Sequence, residues 1–265
     1  MSDDILYQAD GAVRLITINR PAKMNSLDFA ANDDLVAAFK AFDADDDARI
    51  AVITGAGDAA FCAGADLKTY TIAFATTPPD EFRRTYTNGY GLGGITRNLD
   101  INKPILAAIN GYAMSGGFEI ALACDMRLAS PNAVFALQDV KWGFHACDGA
   151  LVRLPHIIGL GHTMEMFLTG ERYDAEWAYR VGLVNRIVEQ SALLDETLAL
   201  AHDLATRSPL AHRQGKETIR HALGRPMPEG LRFESASFRD LGDSEDLVEG
   251  TAAFAERRNA AFKGR

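Results

Sequence analysis

The stretch PILAAINGYAMSGGFEIALACD (residues 104–125) carries a strand pattern, a glycine-rich turn and a helix pattern in direct succession. Its first part, residues 104–111, is a short apolar run that ends in glycine, as is typical of a buried strand. Gly116 and Gly117 then precede a second apolar run, which predicts that a helix begins at these glycines. Strand, turn and helix in this order favour an α/β architecture.

The same order recurs on the N-terminal side of this stretch. Residues 5–21 predict two strands joined by a hairpin turn at Asp10-Gly11. Apolar residues at helical spacing predict a helix over residues 28–43, and the apolar run of residues 49–55 predicts another buried strand. The N-terminal part of the chain is therefore expected to consist of stacked βα units.

The pattern changes after about residue 190, where helical periodicity continues without strand patterns. It is interrupted at Pro209 and at residues 225–228, so several helices are expected. Such a helical C-terminal module is a usual place for subunit contacts. The least organised interior segment covers residues 69–88 and contains the sequence ATTPPDE, which predicts a mobile loop beside a site.

Charge and composition exclude several classes of protein. The net charge of −9 argues against a general nucleic-acid binder, whose affinity needs a basic face. No apolar run approaches the roughly 18 residues that would indicate a membrane span. The acidic first residues lack the pattern of a secretory signal, and Cys62, Cys124 and Cys147 are too scattered for a disulfide framework. A cytoplasmic protein with reduced thiols is expected.

Glu119 lies directly after the two glycines and before residues that are apolar on all sides of the predicted helix. An acid in a first helical turn is stabilised by about 0.3–1 kcal/mol through the helix dipole, which is explanation enough for its presence. A buried carboxylate, however, needs hydrogen-bond partners or a chemical role. The spacing alone leaves both explanations open.

A second small-residue turn lies in FCAGADLK, residues 61–68. Gly64 allows the backbone to approach a ligand closely and leaves the N–H of Ala65 available as a donor. Together with the N–H of Gly116, it would form a cradle for an oxygen that becomes negative during a reaction. An ordinary loop is the alternative.

Asp139, in FALQDVKWG, is the other acid among apolar neighbours. It is either a general acid/base or a hydrogen-bonded loop carboxylate. The six histidines are scattered and no metal-binding motif is present, so no metal is expected.

Five blocks of sequence resemble, in order and over nearly the whole chain, the crotonase superfamily, that is, the enoyl-CoA hydratase/isomerase family. The blocks are NRPAKMNSL, IAVITGAGDAAFCAGADLK, NKPILAAINGYAMSGGFEIALACD, EMFLTGERYDAEWAYRVGLVNRIV and EGTAAFAERRNAAFKGR. The resemblance implies a spiral of ββα units over residues 1–195 that carries a CoA thioester site. It also implies that the helical module of residues 196–265 packs trimers, which commonly pair into hexamers.

The resemblance also implies roles for the residues singled out above. The thioester oxygen would meet the N–H groups of Ala65 and Gly116. Glu119 falls on the first of two glutamates that handle one water molecule in the hydratase branch. Asp139 occupies the position of the second glutamate, with a side chain that is one methylene shorter. Coenzyme A is part of the substrate, and no separate cofactor is implied.

Further binding residues follow from the same resemblance. Phe254 and Lys263 would contact the nucleotide end of CoA, either within one chain or across a subunit boundary. The sequence HACDG departs from the family pattern, so it would shape an unusual acyl pocket through Phe144, His145 and Asp148. The residues implied around the pantetheine and adenine, largely through backbone atoms, are Lys23, Ala63, Asp66 and Leu67.

The implied activity is that of an acyl-CoA lyase, which hydrates an enoyl-CoA or dehydrates a 3-hydroxyacyl-CoA. The blocks NGYAMSGGFE and FKGR resemble the carnitinyl-CoA dehydratase branch. An isomerase with one acid/base group, or a hydrolase that uses His145 or Asp148, would keep the same oxyanion site. A non-catalytic acyl-CoA or RNA-binding protein is the remaining alternative. The acidic balance argues against RNA binding, and the retained Glu119 argues against an inactive enzyme.

Overall fold

The computed structural model describes residues 2–265. This part of the chain holds ten β-strands: β1 (Ile5–Asp10), β2 (Val13–Ile18), β3 (Ile50–Gly55), β4 (Ala60–Cys62), β5 (Ile105–Ile109), β6 (Tyr112–Met114), β7 (Met126–Ala129), β8 (Val134–Ala136), β9 (Tyr173–Asp174) and β10 (Arg186–Ile187). It also holds eleven α-helices: α1 (Phe29–Ala44), α2 (Ile72–Thr76), α3 (Pro79–Phe82), α4 (Gly116–Ala123), α5 (Ala150–Ile157), α6 (Gly159–Thr169), α7 (Ala175–Arg180), α8 (Leu193–Ala205), α9 (Pro209–Ala222), α10 (Met227–Asp240) and α11 (Glu245–Glu256). The predicted α/β class is confirmed.

The strands form two sheets between which the chain alternates. The six-stranded sheet has the order β1-β2-β3-β5-β7-β10, and the four-stranded sheet has the order β4-β6-β8-β9. Only β1–β2 and β8–β9 pair antiparallel. Because β3, β5 and β7 lie in the first sheet and β4, β6 and β8 in the second, each pass of the chain adds one strand to both sheets. The result is a spiral of strand-strand units with connecting helices.

Local sequence patterns predicted several of these elements. The hairpin is confirmed, although Asp10 pairs with Val13, so the two-residue turn is Gly11-Ala12 rather than Asp10-Gly11. The helix predicted over residues 28–43 is α1, and Asp28 caps it by accepting the N–H of Ala31 at 3.1 Å. The two predicted buried strands are β3 and β5.

Two hydrophobic cores cover both faces of the six-stranded sheet. The larger core lies on the face towards the second sheet and contains the fully buried rings of Phe39, Phe61, Phe118 and Phe135. The smaller core packs the opposite face against α8. Because both faces are covered, β3 and β5 are continuous apolar runs without polar alternation.

The prediction that residues 69–88 form a loop is wrong. This segment consists of short helical turns, namely a π-helical turn at Leu67–Thr71, then α2 and α3, and a second π-helical turn at Arg83–Thr87. The two prolines suggested a loop, but Pro79 occupies the first position of α3, where a missing N–H removes no helical hydrogen bond.

The C-terminal part is helical as predicted, with breaks that lead into α9 at Pro209 and into α10 at Met227. Helix α9 is attached to the spiral by the Lys216 ammonium group, which donates to Asp125 Oδ2 at 2.7 Å and to the Lys103 carbonyl at 2.9 Å. No helix within residues 2–265 is long and apolar enough to cross a membrane.

Candidate active site

A cavity of about 870 Å³ opens beside the start of α4. Its wall is built from the turn after β4, the short helices of residues 67–87, the first turn of α4 and the segment from residue 138 to residue 148. The fold therefore brings together nine residues that the sequence had singled out: Ala63, Ala65, Leu67, Gly116, Glu119, Asp139, Phe144, His145 and Asp148.

Two backbone amides from separate turns line this cavity. A Cβ atom on Gly116 would lie 3.4 Å from the nitrogen of Ala65, so the two turns are in contact. The turn at Gly64 is fixed on Leu27, whose N–H donates to the Gly64 carbonyl at 2.8 Å. Among the described residues, no hydrogen bond uses the N–H of Ala65 or of Gly116. Both N–H groups are therefore available as hydrogen-bond donors at the cavity wall.

The start of α4 is held in an unusual backbone conformation. Ser115, which precedes the helix, has a φ of 46°, in a region that costs a non-glycine residue about 1–3 kcal/mol. Its own N–H donates to the Ala136 carbonyl of β8 at 2.8 Å. The sheet thus holds the turn in place, and the positive end of the helix dipole lies at the cavity.

Glu119 is buried in the first turn of α4 with an exposed fraction of 2%. Its Oε1 accepts two backbone N–H groups, from Asp148 at 2.7 Å and from Ala150 at 3.0 Å. Burial, reinforced by the negative charge of Asp148, raises the pKa of Glu119 to about 8, although the two N–H groups favour the charged form. At neutral pH this carboxyl group therefore holds a proton that it can donate.

Asp139 is the second buried acid in the cavity, on the 3₁₀ turn Gln138–Trp142 that follows β8. Within the described part of the chain, its Oδ2 is buried and accepts no hydrogen bond. Burial raises the pKa of Asp139, partly offset by the hydroxyl of Ser115, which favours the charged form. A polar atom buried in this way is costly unless a ligand or water meets it.

The segment that departs from the family pattern forms the inner wall beside Glu119. Phe144 is partly exposed in the cavity, and His145 Nδ1 lies 2.9 Å from the carbonyl of Ala146. Burial raises the pKa of the Cys147 thiol to about 12, which is unfavourable for a thiolate nucleophile. All three cysteines are unpaired, as predicted.

Sequence reasoning missed Tyr86, which lines the cavity and donates its hydroxyl proton to Asp148 Oδ2. It also missed Arg172, whose guanidinium group lies 5.4 Å from the ring centre of Tyr112 at the cavity wall. Tyr86 lies in the segment that was predicted to be a loop, 62 residues from Asp148. No local pattern could have indicated this contact.

Four residues expected to contact CoA do not line the cavity within one chain. Lys23 Nζ lies 3.9 Å from Asp28 Oδ2, and Asp66 caps the following turn by accepting the Lys68 N–H at 2.8 Å. Phe254 is 87% exposed on α11, beside a separate pocket, and Lys263 Nζ lies 3.4 Å from Glu245 Oε2.

Comparisons with known proteins agree with this architecture. The sequence model of the enoyl-CoA hydratase/isomerase family matches residues 8–265. Carnitinyl-CoA dehydratases of Citrobacter koseri and Salmonella enteritidis are each 39% identical over 100% of both chains. The enoyl-CoA hydratase structure from Mycobacterium marinum is 36% identical with a TM-score of 0.90, and both chains are covered to 100%. The structure from Bacillus anthracis is 30% identical with a TM-score of 0.88, covering 99% of this chain and 100% of its own. These similarities confirm the crotonase-like fold, and the chain belongs to the enoyl-CoA hydratase/isomerase family.

Proposed function

We propose that the protein is an acyl-CoA lyase that dehydrates a 3-hydroxyacyl-CoA and, in reverse, hydrates the enoyl-CoA. One observation supports this most. The cavity is lined both by the buried, protonated acid Glu119 and by the backbone N–H groups of Ala65 and Gly116, which make no hydrogen bond within the described residues. Curated relatives named carnitinyl-CoA dehydratase and solved structures named enoyl-CoA hydratase support the same reaction class.

The two amides would polarise the thioester. Removing a proton from the α-carbon places negative charge on the thioester oxygen, and the N–H groups of Ala65 and Gly116 would donate to that oxygen. One preorganised donor of this kind contributes on the order of 2.7–4 kcal/mol to transition-state stabilisation. The N-terminal end of α4 adds a favourable dipole.

The two acids would divide the proton transfers. In dehydration, Asp139 accepts the α-proton and Glu119 donates its proton to the departing hydroxyl group, which leaves as water. The carbon–oxygen bond breaks, and the electrons of the α-carbon–hydrogen bond form the double bond. In hydration the same steps run backwards, with Glu119 taking a proton from the attacking water.

The names of the relatives make carnitinyl-CoA the first 3-hydroxyacyl thioester to test. Phe144 and His145 would contact the acyl group, since they line the cavity around Glu119. Asp148 lines the same cavity, but both of its carboxylate oxygens accept hydrogen bonds from the protein. The CoA portion would contact Lys23, Ala63, Asp66 and Leu67, of which Ala63 and Leu67 line the cavity.

We further propose a cytoplasmic homotrimer, or a hexamer built from two trimers. Exposed apolar side chains on the C-terminal helices support a subunit interface there: Ile219, Met227, Leu231, Phe238 and Val248. In such an assembly, Phe254 and Lys263 would reach the nucleotide end of a CoA molecule bound to a neighbouring subunit.

The decisive test follows the ultraviolet absorbance of a short trans-2-enoyl-CoA, and in parallel the formation of enoyl thioester from carnitinyl-CoA. Wild type should consume or form the conjugated thioester, and Glu119→Gln should be slower by about 10²–10⁴-fold. Glu165→Gln, on the exposed surface of α6, is the matched control and should behave as wild type. If wild type binds the thioesters in calorimetry but converts neither, the lyase assignment is wrong.

A further inference from the structure

The carboxylate of Asp148 is buried and accepts hydrogen bonds from three groups of one segment. Its Oδ1 accepts the N–H of Leu92 at 3.0 Å and the hydroxyl of Thr96 at 2.9 Å, and its Oδ2 accepts the hydroxyl of Tyr86. Arg97 Nε lies 3.7 Å from Oδ1 and adds a positive charge. Asp148 is thus the point at which residues 86–97 are attached to the wall of the cavity.

The backbone of the same residue faces the opposite way, towards Glu119. The N–H of Asp148 donates to Glu119 Oε1 at 2.7 Å, which is the shorter of the two hydrogen bonds on that oxygen. The carbonyl of Asp148 accepts from Arg153 at 3.0 Å, and Arg153 also donates to the Thr96 carbonyl at 2.8 Å. One residue therefore links the acid on α4, the start of α5 and the segment of residues 86–97.

The backbone of the segment passes close to the carboxylate of Asp148 at Gly91. A Cβ atom on Gly91 would lie 2.3 Å from Thr96 Oγ1 and 2.7 Å from Asp148 Oδ1, and the φ of Gly91 is 70°. Only glycine allows the backbone to pass this close to the carboxylate. The segment cannot shift against Asp148 without breaking these hydrogen bonds.

We propose that Asp148 is a positioning residue for Glu119. Residues 86–97 fix the carboxylate of Asp148, and the backbone N–H of Asp148 in turn holds the carboxyl group of Glu119 in place. The proposal rests on the proposed lyase function for its catalytic consequence, but not for its structural content. It differs from the sequence-based expectation that Asp148 shapes an acyl pocket directly, since both carboxylate oxygens are occupied by protein donors.

Asp148 would act on the protonation of Glu119 as well as on its position. Its charge is the largest contribution to the raised pKa of Glu119 after burial itself. Other titratable or charged groups near Glu119 or Asp148 stay unchanged in the test: Tyr86, Arg97, Asp139, His145, Cys147 and Arg153. Replacing the carboxylate by an amide therefore removes the charge of Asp148 and one of its two acceptor oxygens.

The test combines nuclear magnetic resonance and kinetics on the full chain. Protein labelled with ¹³C at the glutamate carboxyl carbon is titrated between pH 5 and 10, and the Glu119 signal is assigned by its loss in Glu119→Gln. In Asp148→Asn, which keeps the shape of the side chain, the Glu119 midpoint should fall by about one pH unit or more. The surface variant Asp203→Asn is the matched control and should leave the midpoint in place.

The titration needs no substrate, so it is independent of the lyase assignment: an inactive wild type would refute the assignment, whereas an unchanged midpoint in Asp148→Asn would refute this proposal. With an active enzyme, kcat should fall about tenfold in Asp148→Asn while KM stays within twofold. A loss confined to KM would instead indicate direct substrate contact.

Thr96→Val provides a second, milder variant in case Asp148→Asn folds poorly. It removes one hydrogen-bond donor to Asp148, so we expect kcat to fall about threefold while KM is unchanged. The melting temperature should stay within a few degrees of that of wild type. Because Thr96 acts through Asp148, the double variant should lose no more than Asp148→Asn alone. Additive losses, or an unchanged kcat in Thr96→Val, would overturn the proposed link.

Discussion

The nitrogen of Gly116 lies 3.0 Å from the point at which a side chain on Gly64 would place its Cβ atom. The turn after β4 and the start of α4 are thus separated by less than the thickness of a methyl group. This contact sets the spacing of the two amides in the cavity, those of Ala65 and Gly116.

A methyl group at position 64 should therefore damage the amide pair. Gly64 has a φ of 92°, so Gly64→Ala suffers backbone strain in addition to the clash with α4. We expect kcat to fall by about 10²-fold or more, with a loss of unfolding free energy of about 2–4 kcal/mol. Gly11→Ala, also at positive φ but with open space around it, should cost about 1–2 kcal/mol and leave kcat unchanged. Equal kcat in both variants would contradict the role of the contact.

Asp139 offers a test of whether charge or length matters at the second acid. Asp139→Asn keeps the shape but cannot accept a proton, so kcat should fall by about 10²–10⁴-fold. Asp139→Glu restores an acid that is one methylene longer and should keep at least a tenth of the wild-type rate. Steady-state rates on the same thioester decide the matter. An active Asn variant would leave Glu119 as the sole acid/base group, as an isomerase requires.

The raised pKa of Glu119 makes stability depend on pH in a defined window. In the unfolded chain the carboxyl loses its proton near pH 4.5, whereas in the fold it keeps the proton up to about pH 8. Unfolding therefore releases a proton between these values, and the contribution of Glu119 to stability falls as the pH rises, by up to about 1.4 kcal/mol per pH unit. Denaturant titrations from pH 5 to 9 should show a steeper decline for wild type than for Glu119→Gln. If the unfolding free energies of wild type and Glu119→Gln changed with pH in parallel, the raised pKa of Glu119 would be refuted.

Asn25 fixes the connection that leads into β4. It is fully buried, and its Nδ2 donates to the carbonyls of Ala56 at 3.0 Å and Ala60 at 2.7 Å. Asn25→Asp replaces this donor by an acceptor facing two carbonyl oxygens, and we expect a loss of about 3 kcal/mol or more.

The matched control is Asn19→Asp, where the exposed Nδ2 donates to the Asp3 carbonyl at 2.8 Å. This variant should lose no more than about 1 kcal/mol in chemical denaturation. Similar losses at both positions would mean that burial of the donor is unimportant.

The assembly can be tested by sedimentation. Wild type should sediment as a particle of three or six times 28.7 kDa. Phe238, which is 74% exposed on α10, should be covered in that particle, so Phe238→Glu should shift the distribution towards smaller species. A wild type that sediments as a single chain at micromolar concentration would exclude the proposed interface.

Much of the fold follows from local patterns in the sequence. The hairpin, α1, β3, β5 and the start of α4 each depend on residues adjacent in the chain, and all were predicted. Residues 69–88 were not, because a proline pair is compatible with a loop and with the first position of a helix.

The residues of the candidate site were likewise predicted only where local sequence indicated them. Glu119 was recognisable as a buried acid from its own surroundings. Its link to residues 86–97 was not, because Tyr86 and Asp148 are brought together by packing between distant segments. The pairing of Ala65 with Gly116 spans 51 residues in the sequence; it was a hypothesis from two small-residue turns, and the resemblance to a family then implied the same pair. Contacts of this kind depend on topology, which no local pattern encodes.

The amide pair has a consequence for how such a protein changes in evolution. The N–H groups of Ala65 and Gly116 belong to the main chain, so most codon changes at position 65 leave the donor in place. Glu119 and Asp139, in contrast, each depend on a single codon. If the proposed roles hold, mutation can therefore exchange the proton-transfer groups one at a time while activation of the thioester persists. A lineage can then change from one acyl-CoA reaction to another without passing through a variant that no longer binds the thioester.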